Sequence, residues 1–394
     1  MRFGVNYTPS QGWFHSWLDL DHAAVARDFA QIAGLGLDHI RIFPLWPLVQ
    51  PNRALLRPRS LRDIRDVVDL AGEAGLDVGV DAVQGHLSSF DFLPSWLHTW
   101  HDRNMFTHPD VVGSIADYVR AVAAVVADAP NLLGVTIGNE VNQFAAEPHP
   151  DPHTATPEQA RRWITRMIEA AREGLGEAAP PAGVTHSMYD ASWYDDRQPF
   201  LPEHAAELGD LTTTHSWVFN GSAQRHGSLG VGSVRHAEYL LRLSAAWHRD
   251  PARPLWLQEV GCPTNVVPAE DGPEFLERTV RNAATVPGLW GVTWWCSHDV
   301  SRSLADFPWL EYDLGLFTND GRLKPTGRRL SELLDRRDEL VPADGGPPLV
   351  LDDSGDAPYR AQLGPGGRFF EAWNAEAAKR GVGPSIVLRS RLQD

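Results

Sequence analysis

The sequence has little of what several classes of protein require. It contains only two cysteines, Cys262 and Cys296, so it has neither the disulfide framework of a small secreted domain nor a CxxC metal motif. No run of about 18 apolar residues occurs, which predicts that no helix spans a membrane. The N-terminal MRFGVNYTPS lacks the basic and apolar regions of a signal peptide, so we expect a cytoplasmic protein.

Positive charge is also scarce. The chain has 35 Lys and Arg against 51 Asp and Glu, and its formal net charge is −16. The basic residues are scattered, whereas nucleic acids and anionic membranes bind clustered positive charge, so we expect neither as a partner. Hydrophobic residues make up 43% of the chain and charged residues 22%, which is typical of a globular protein. A homo-oligomer is left open.

Short apolar runs alternate with longer amphipathic stretches. Helical patterns such as 21–36 and 60–75 begin at a capping residue and end at glycine. An alternation of strand and helix predicts a parallel sheet with right-handed crossovers. The candidate strands are Phe3–Tyr7, His39–Phe43, Val78–Val83, Leu132–Gly138, Val184–Met188, Leu211–Thr214, Leu255–Gln258 and Val292–Trp295.

Eight such units predict an α/β fold, the (β/α)8 TIM barrel. A doubly wound sheet is the alternative, but the segment NYTPSQGW after the first strand lacks the glycine-rich phosphate turn of that fold. Near residue 341 the composition shifts to proline and glycine, and a short strand, a helix and a last strand follow. We therefore predict a catalytic barrel over 1–340 and a small C-terminal α/β appendage over 341–394.

Functional residues of a TIM barrel lie where its strands end. The fourth strand runs into Asn139 and Glu140, and the seventh runs into Glu259. Two carboxylates that flank a sugar bond suffice for glycoside hydrolysis: one donates a proton, and the other acts at the anomeric carbon. Carboxyl groups about 5–5.5 Å apart would indicate retention of configuration.

Other residues near strand ends are suited to binding a sugar. Arg41 can keep a carboxylate ionised, and Asn139 can hydrogen-bond a sugar hydroxyl. His86 and His215 can hold hydroxyls or the carboxylates. The chain has 15 Trp against 7 Tyr, and tryptophans can stack on pyranose rings. The candidates for stacking are Trp46, Trp96, Trp217 and Trp295. Each of these residues also has a structural explanation, namely an internal ion pair, a satisfied core histidine or packing at the barrel mouth.

The segments TIGNEVN and LWLQEVG together resemble the retaining glycoside hydrolases of clan A. With the arginine, histidines and tryptophan named above, residues 1–335 resemble glycoside hydrolase family 5. The resemblance implies that Glu140 is the acid/base and Glu259 the nucleophile. It also implies that Trp295, or failing that Trp294, forms the floor of the subsite at the reacting sugar. The family usually has His-x-Tyr after strand six, but this chain has HSW, so the role of that tyrosine is left unassigned.

The resemblance implies that neither a metal nor a cofactor is needed. The segment 103–112, RNMFTHPDVV, is similar to loops of mannan-active members. With its C-terminal extension, the chain most resembles the bacterial β-mannosidase subgroup of the family. Because a cytoplasmic enzyme meets short imported chains, this resemblance implies an exo-acting β-mannosidase on short manno-oligosaccharides or mannose-containing glycans. An endo-β-1,4-mannanase, another β-glycanase and a β-glucosidase are alternatives. Two others are a non-catalytic sugar-binding barrel and a metal-dependent barrel hydrolase, although the histidine-containing loops lack a metal-site pattern.

Overall fold

The central sheet consists of eight parallel strands. The computed structural model of the chain describes residues 1–101, 103–353 and 358–392. The strands are β1 (Arg2–Asn6), β2 (His39–Ile42), β3 (Asp77–Gln84), β4 (Leu132–Asn139), β5 (Val184–Thr185), β6 (Thr212–Ser216), β7 (Leu255–Gly261) and β8 (Leu289–Trp295).

Neighbouring strands pair in the order β5-β4-β3-β2-β1-β8-β7-β6, so the sheet curls into a ring. Two hydrogen bonds join its ends: Asp210 N–H donates to the Val184 oxygen over 2.9 Å, and the Thr213 hydroxyl donates to the His186 oxygen over 2.7 Å. The prediction of a (β/α)8 barrel is confirmed. β5 is shorter than predicted because the residues after Thr185 leave the strand ladder.

Among the described residues before 341, seven helices have at least ten residues and lie between the strands or follow β8. They are α1 (His22–Ala33), α2 (Pro58–Glu73), α3 (Pro109–Val126), α4 (Pro157–Leu175), α5 (His236–Ala245), α6 (Gly272–Ala284) and α7 (Pro325–Leu334). Shorter helical turns span Trp13–Leu18, Trp46–Val49, Val141–Ala145, Ala191–Tyr194, Pro202–Glu207, Ser222–His226, Val231–Val234, Trp309–Asp313 and Arg337–Glu339. Within the described ranges, no helix combines the length and the apolar character needed to cross a bilayer.

The C-terminal segment packs on the outside of the barrel. Its elements are β9 (Leu349–Leu351), a turn at Arg360–Gln362, α8 (Arg368–Arg380), β10 (Ile386–Leu388) and a turn at Arg389–Leu392. β9 and β10 form a separate parallel pair. Tyr239 of α5 donates to the Leu363 oxygen over 2.8 Å, and its ring lies 5.1 Å from that of Trp373. The division of the chain at residue 341 stays a prediction.

Loops after β1, β3 and β8 meet on one side of the barrel mouth. The loop after β3 contains a small hairpin, His86–Leu87 paired with Phe90–Asp91. The rings of Trp13 and Phe90 lie 4.7 and 4.8 Å from that of Phe307, and Phe92 also contacts Trp13. We call these four rings the aromatic wall.

Candidate active site

The β4 strand delivers two polar side chains at its tip. All eight residues of β4 are buried, and Asn139 ends the strand. Glu140 follows with a φ of 47°, in the left-handed region that non-glycine residues rarely occupy. This turn takes the chain off the strand and begins the helical turn Val141–Ala145. Gly85, at the neighbouring tip of β3, permits the approach, because a Cβ there would lie 2.1 Å from the Asn139 oxygen.

Arg41 on β2 connects the residues beneath the site. It is fully buried, and its guanidinium forms a two-pronged pair with Asp81 on β3, over 2.7 and 2.6 Å. It also donates to Glu259 Oε1 over 2.7 Å and to Asn139 Oδ1 over 2.6 Å. A planar guanidinium suits such fixed multiple pairing. Arg41 therefore sets the positions of Glu259 and Asn139, as the sequence predicted for a carboxylate.

Glu259 of β7 is held from its other oxygen by Trp217. The indole Nε1 of Trp217 lies 3.3 Å from Glu259 Oε2. Gly261 permits this position, because a Cβ there would lie 2.8 Å from the Trp217 ring. The Trp217 ring in turn packs edge-on against Trp295, 6.3 Å away. Trp217, the third residue of the HSW segment, thus contacts the β7 glutamate directly.

His215 of β6 lies between the two glutamates. Its Nδ1 is 2.6 Å from Glu140 Oε1 and 3.3 Å from Glu259 Oε2. Its Nε2 is 3.3 Å from Gln258 Oε1, an oxygen that faces His215 because Gln258 Nε2 donates to Thr136 over 3.1 Å. Both ring nitrogens therefore face acceptors, an arrangement that a doubly protonated imidazolium satisfies.

The pKa values of these three groups depend on one another. Burial by itself lowers the pKa of His215, but the charge of Glu259 and the hydrogen bond to Glu140 raise it above the ordinary value. Burial raises the pKa of Glu140, yet the bond and charge of His215 outweigh it and lower that pKa. For Glu259, burial and the charge of Glu140 raise the pKa despite His215 and Arg41. These directions favour a proton on His215 beside an ionised Glu140.

The two carboxylates are close together. One oxygen of Glu140, one of Glu259 and a nitrogen of His215 all lie within 4.8 Å of one another. Such a trio could be read as metal ligands, but two of its atoms are only 2.6 Å apart and hydrogen-bonded. Ligands placed tetrahedrally about 2.0–2.2 Å from zinc lie roughly 3.3 Å from one another. This short contact therefore fits a shared proton and is too close for two ligands of a tetrahedral zinc ion.

A pocket of about 210 Å³ opens above these residues. It is lined by His86, Leu87, Ser88, Ser89, Asn139, Glu140, Gln143, Tyr189, Trp217, Phe219, Asn220, Glu259, Trp295, Pro308, Leu310 and Glu311. Six of the predicted site residues are on its surface. Arg41 and His215, also predicted, are buried and contact the glutamates from below.

Two predicted sugar-binding residues lie elsewhere. Trp46 and Trp96 belong to the main hydrophobic core and do not line the pocket. Their rings are 5.6 Å apart, and Trp46 stacks on Tyr118 of α3. Both indole N–H groups donate to Gln50, over 2.8 and 2.9 Å. Satisfied donors and apolar neighbours make these tryptophans part of the packing between the barrel and α3.

The pocket also contains residues that the sequence analysis did not select. Tyr189 follows β5, and Asn220 donates to the buried Asp190, whose pKa burial raises to about 7. Functional residues of a TIM barrel lie where its strands end, and the same expectation applied to the fifth strand would have selected Tyr189. Gln143 donates to Glu140 Oε2 over 2.7 Å, one turn after it. Glu311 comes from the long loop after β8, where no sequence periodicity indicates its position.

Comparisons with known structures find relatives that match nearly the whole chain. A GH5_18 enzyme from Streptomyces cattleya, in complex with Manβ1-4GlcNAc and with a glutamate replaced by alanine, is 52% identical over 99% of this chain and 94% of that chain, with a TM-score of 0.95. A GH5_18 protein from Bifidobacterium longum subsp. infantis is 45% identical over 100% and 93% of the two chains, with a TM-score of 0.94. An exo-β-1,4-mannosidase from an Opitutaceae bacterium is 22% identical over 98% and 69%, with a TM-score of 0.81, and shares the fold. Searches of protein-family models and of curated proteins gave no match.

Proposed function

The chain belongs to the GH5_18 group of glycoside hydrolase family 5, and we propose that it is a retaining, exo-acting β-mannosidase. It is a hydrolase of glycosidic bonds. The proposed substrates are short β-mannosides such as Manβ1-4GlcNAc, the disaccharide bound by the Streptomyces cattleya enzyme. The observation that carries the proposal is the pair Glu140 and Glu259, whose carboxylates approach within 4.8 Å in a small pocket.

The spacing of the carboxylates favours a double displacement. Retaining enzymes place them about 5–5.5 Å apart, whereas inverting enzymes leave roughly 6.5–9.5 Å for a water molecule. In the first step Glu259 attacks the anomeric carbon and the bond to the leaving oxygen breaks, while Glu140 gives that oxygen a proton. Arg41 and Trp217 hold the two oxygens of Glu259, so that the attacking carboxylate is oriented before the substrate arrives.

His215 supplies the proton that Glu140 needs. We propose that in the free site His215 is an imidazolium, with its Nδ1 2.6 Å from Oε1 of an ionised Glu140. A bound sugar excludes water, and a buried ion pair becomes less favourable as its solvation is lost. Transfer of the proton along this short hydrogen bond then leaves Glu140 as a neutral acid and His215 as a neutral imidazole. Glu259 stays ionised because the positive charge of Arg41 remains beside it.

In the second step Glu140 acts as a base. It takes a proton from water, the water oxygen attacks the anomeric carbon, and the bond to Glu259 breaks, which regenerates the carboxylate. The product keeps the β configuration because the anomeric carbon is inverted twice. Asn139 lies beside the reacting centre, with its oxygen on Arg41 and its nitrogen 3.1 Å from the His86 oxygen, and is placed to contact a sugar hydroxyl.

The shape of the pocket supports exo action. Phe90 and Phe307 of the aromatic wall adjoin two residues that line the pocket, Ser89 and Pro308, and a volume of about 210 Å³ is small beside the roughly 300–1,000 Å³ of pockets for drug-sized ligands. We propose that the wall closes this side of the pocket, so that a substrate chain continues in one direction only. The terminal mannose, which Glu259 attacks, would stack on Trp295. The leaving-group sugar would lie toward Phe219 and Asn220.

A panel of p-nitrophenyl β-glycosides (mannoside, glucoside, galactoside and xyloside) tests the proposal, together with Manβ1-4GlcNAc and mannotetraose. We expect turnover of the β-mannoside and the disaccharide, release of single mannose units, and β-mannose as the first product detected by proton NMR. EDTA should have no effect. Internal cleavage of mannotetraose, α-mannose as first product, or loss of activity with chelator would each contradict the corresponding part of the proposal.

A further inference from the structure

A third carboxylate faces the pocket that holds Glu140 and Glu259. Glu311 lies in the turn Trp309–Asp313 and lines the pocket from the loop after β8. The Ser88 hydroxyl donates to its Oε2 over 2.8 Å. Among the described residues, its Oε1 has no hydrogen-bond partner and no Lys or Arg forms an ion pair with it. One carboxylate oxygen is therefore free for a ligand.

The partner of Glu311 is held in an unfavourable backbone conformation. Ser88 and Ser89 form the tip of the hairpin after β3, with φ angles of 51° and 74°. Tight hairpins of this kind favour asparagine and glycine, which adopt positive φ at little cost. Two serines here are costly unless their side chains are needed, and both line the pocket. The hairpin therefore presents hydroxyl groups to the same space as Glu311.

The charge around Glu311 also favours a ligand. Burial raises its pKa to about 7, with the charges of Glu259 and Glu140 acting in the same direction and Ser88 and His86 opposing them. A carboxylate without a cation partner is costly in such a position, and a hydroxyl that donates to it offsets part of that cost. Pro308 and Ser89, which line the pocket with Glu311, adjoin Phe307 and Phe90 of the aromatic wall, so Glu311 lies on the side that the proposed exo action closes.

We infer that Glu311 is a specificity residue that accepts a hydrogen bond from a hydroxyl at C3, C4 or C6 of the terminal, non-reducing sugar. These are the hydroxyls that an exo enzyme holds at the closed end, far from the bond that breaks. The inference rests on the proposed exo action. Ser88 fixes one oxygen of Glu311 and thereby aims the other at the sugar.

The test combines enzyme variants with modified substrates. Wild type, Glu311→Ala and Glu311→Gln are assayed with p-nitrophenyl β-mannoside and its 3-, 4- and 6-deoxy analogues. For wild type we expect one analogue to lose roughly 10- to 100-fold in kcat/KM, because a hydrogen bond to a charged group is lost. Glu311→Ala should lose a similar factor on the parent mannoside, mainly in KM, and show no further loss on that analogue.

The inference would be overturned if each deoxy analogue lost the same factor in kcat/KM with Glu311→Ala as with wild type. Glu311 would then contact none of these hydroxyls. Glu311→Gln keeps the shape and the contact with Ser88, so it serves if the alanine variant does not fold. Glu332→Gln, on the exposed side of α7, is the matched control and should behave as wild type. If wild type cleaves another glycoside and not the mannoside, the proposed function fails, and the deoxy analogues of that sugar then test Glu311.

Discussion

His215 Nδ1 lies 2.6 Å from Glu140 Oε1 and 3.3 Å from Glu259 Oε2, so one N–H group serves both carboxylates. The three groups therefore titrate as a unit, and a single proton decides which carboxylate is charged. The charge of a protonated His215 also offsets part of the repulsion between the two glutamates. Its consequences are measurable in the pH dependence of the reaction.

Replacement of His215 should alter the alkaline side of the pH–rate profile. The pKa of His215 is raised by its two carboxylates, so the site keeps its acid proton at higher pH than a free imidazole would. As pH rises through that value the proton is lost and kcat/KM falls. In His215→Asn we expect this fall at lower pH, because a carboxyl group alone releases the proton earlier, and a loss of roughly 10²–10⁴-fold in kcat. An unchanged alkaline limb would contradict the role of His215 as proton store.

The two glutamates should differ in how their variants respond to the leaving group. Glu259→Gln lacks the attacking carboxylate and should lose on the order of 10⁴-fold or more on every substrate. Glu140→Gln should lose about 10²–10⁴-fold in kcat on Manβ1-4GlcNAc. With p-nitrophenyl β-mannoside the initial burst of nitrophenol should slow much less, because nitrophenolate leaves without a proton. Azide should speed Glu140→Gln by accepting the glycosyl group. The opposite pattern would exchange the two roles.

The hydrogen bond from Trp217 to Glu259 should be visible in kcat. Trp217→Phe removes the indole N–H and keeps an aromatic ring, and we expect a loss of roughly 10- to 100-fold. Trp217→Tyr offers a hydroxyl and should recover part of that loss. Trp290→Phe makes the same change near the start of β8, outside the pocket, and serves as the control. If Trp217→Phe retains full kcat, the indole contributes packing alone.

The buried pair of Arg41 and Asp81 should support both stability and activity. Asp81→Ala leaves a buried guanidinium short of partners, so we expect the free energy of unfolding to fall by about 3–5 kcal/mol and kcat to fall as Arg41 shifts from Glu259. Asp128→Asn, which disrupts the exposed pair with Arg65, should cost less than about 1 kcal/mol. Urea unfolding of the variants distinguishes these cases, and equal effects would show that burial of the first pair is unimportant.

Acid should destabilise the fold through two buried histidines. Burial lowers the pKa of both His186 and His236 to about 3, against about 6.5 in an unfolded chain. Between these values the unfolded chain binds protons that the folded chain does not. The free energy of unfolding therefore falls as pH falls, by about 1.4 kcal/mol per pH unit for each histidine. His236→Gln should reduce the slope between pH 6 and 4 by about that amount, as should His186→Gln. Unchanged slopes in both variants would contradict these shifts.

The barrel was predictable because each strand is a compact apolar run followed by an amphipathic helix, and hydropathy alone reports that alternation. The end of β5 was not predictable from hydropathy. The Ser187 hydroxyl donates to the Gly138 oxygen over 3.0 Å, and the Thr213 hydroxyl donates to the His186 oxygen. Side-chain bonds of this kind replace ladder bonds without changing the apolar pattern of Val184–Met188.

The centre of the site was predictable for a different reason. Glu140 and Glu259 interrupt apolar strands, and a polar residue at the end of a buried strand has few structural explanations. Tryptophans carry no such signal, because core packing and sugar stacking use the same flat apolar surface. Trp46 and Trp96 were therefore selected together with Trp217 and Trp295, although they pack under α3. Glu311 was missed because only folding of a long loop brings it opposite Ser88.

The aromatic wall joins three loops that are far apart in the chain. The ring centres of Trp13, Phe90 and Phe307 lie 4.7 to 5.4 Å from one another, so the three loops support one another at the barrel mouth. A loop transplanted alone from a relative would meet the wrong partners and leave a gap or a clash. Under the proposed exo action, the wall limits the length of the oligosaccharide that the enzyme accepts. A change in that length, in evolution or by engineering, therefore requires all three loops to change together.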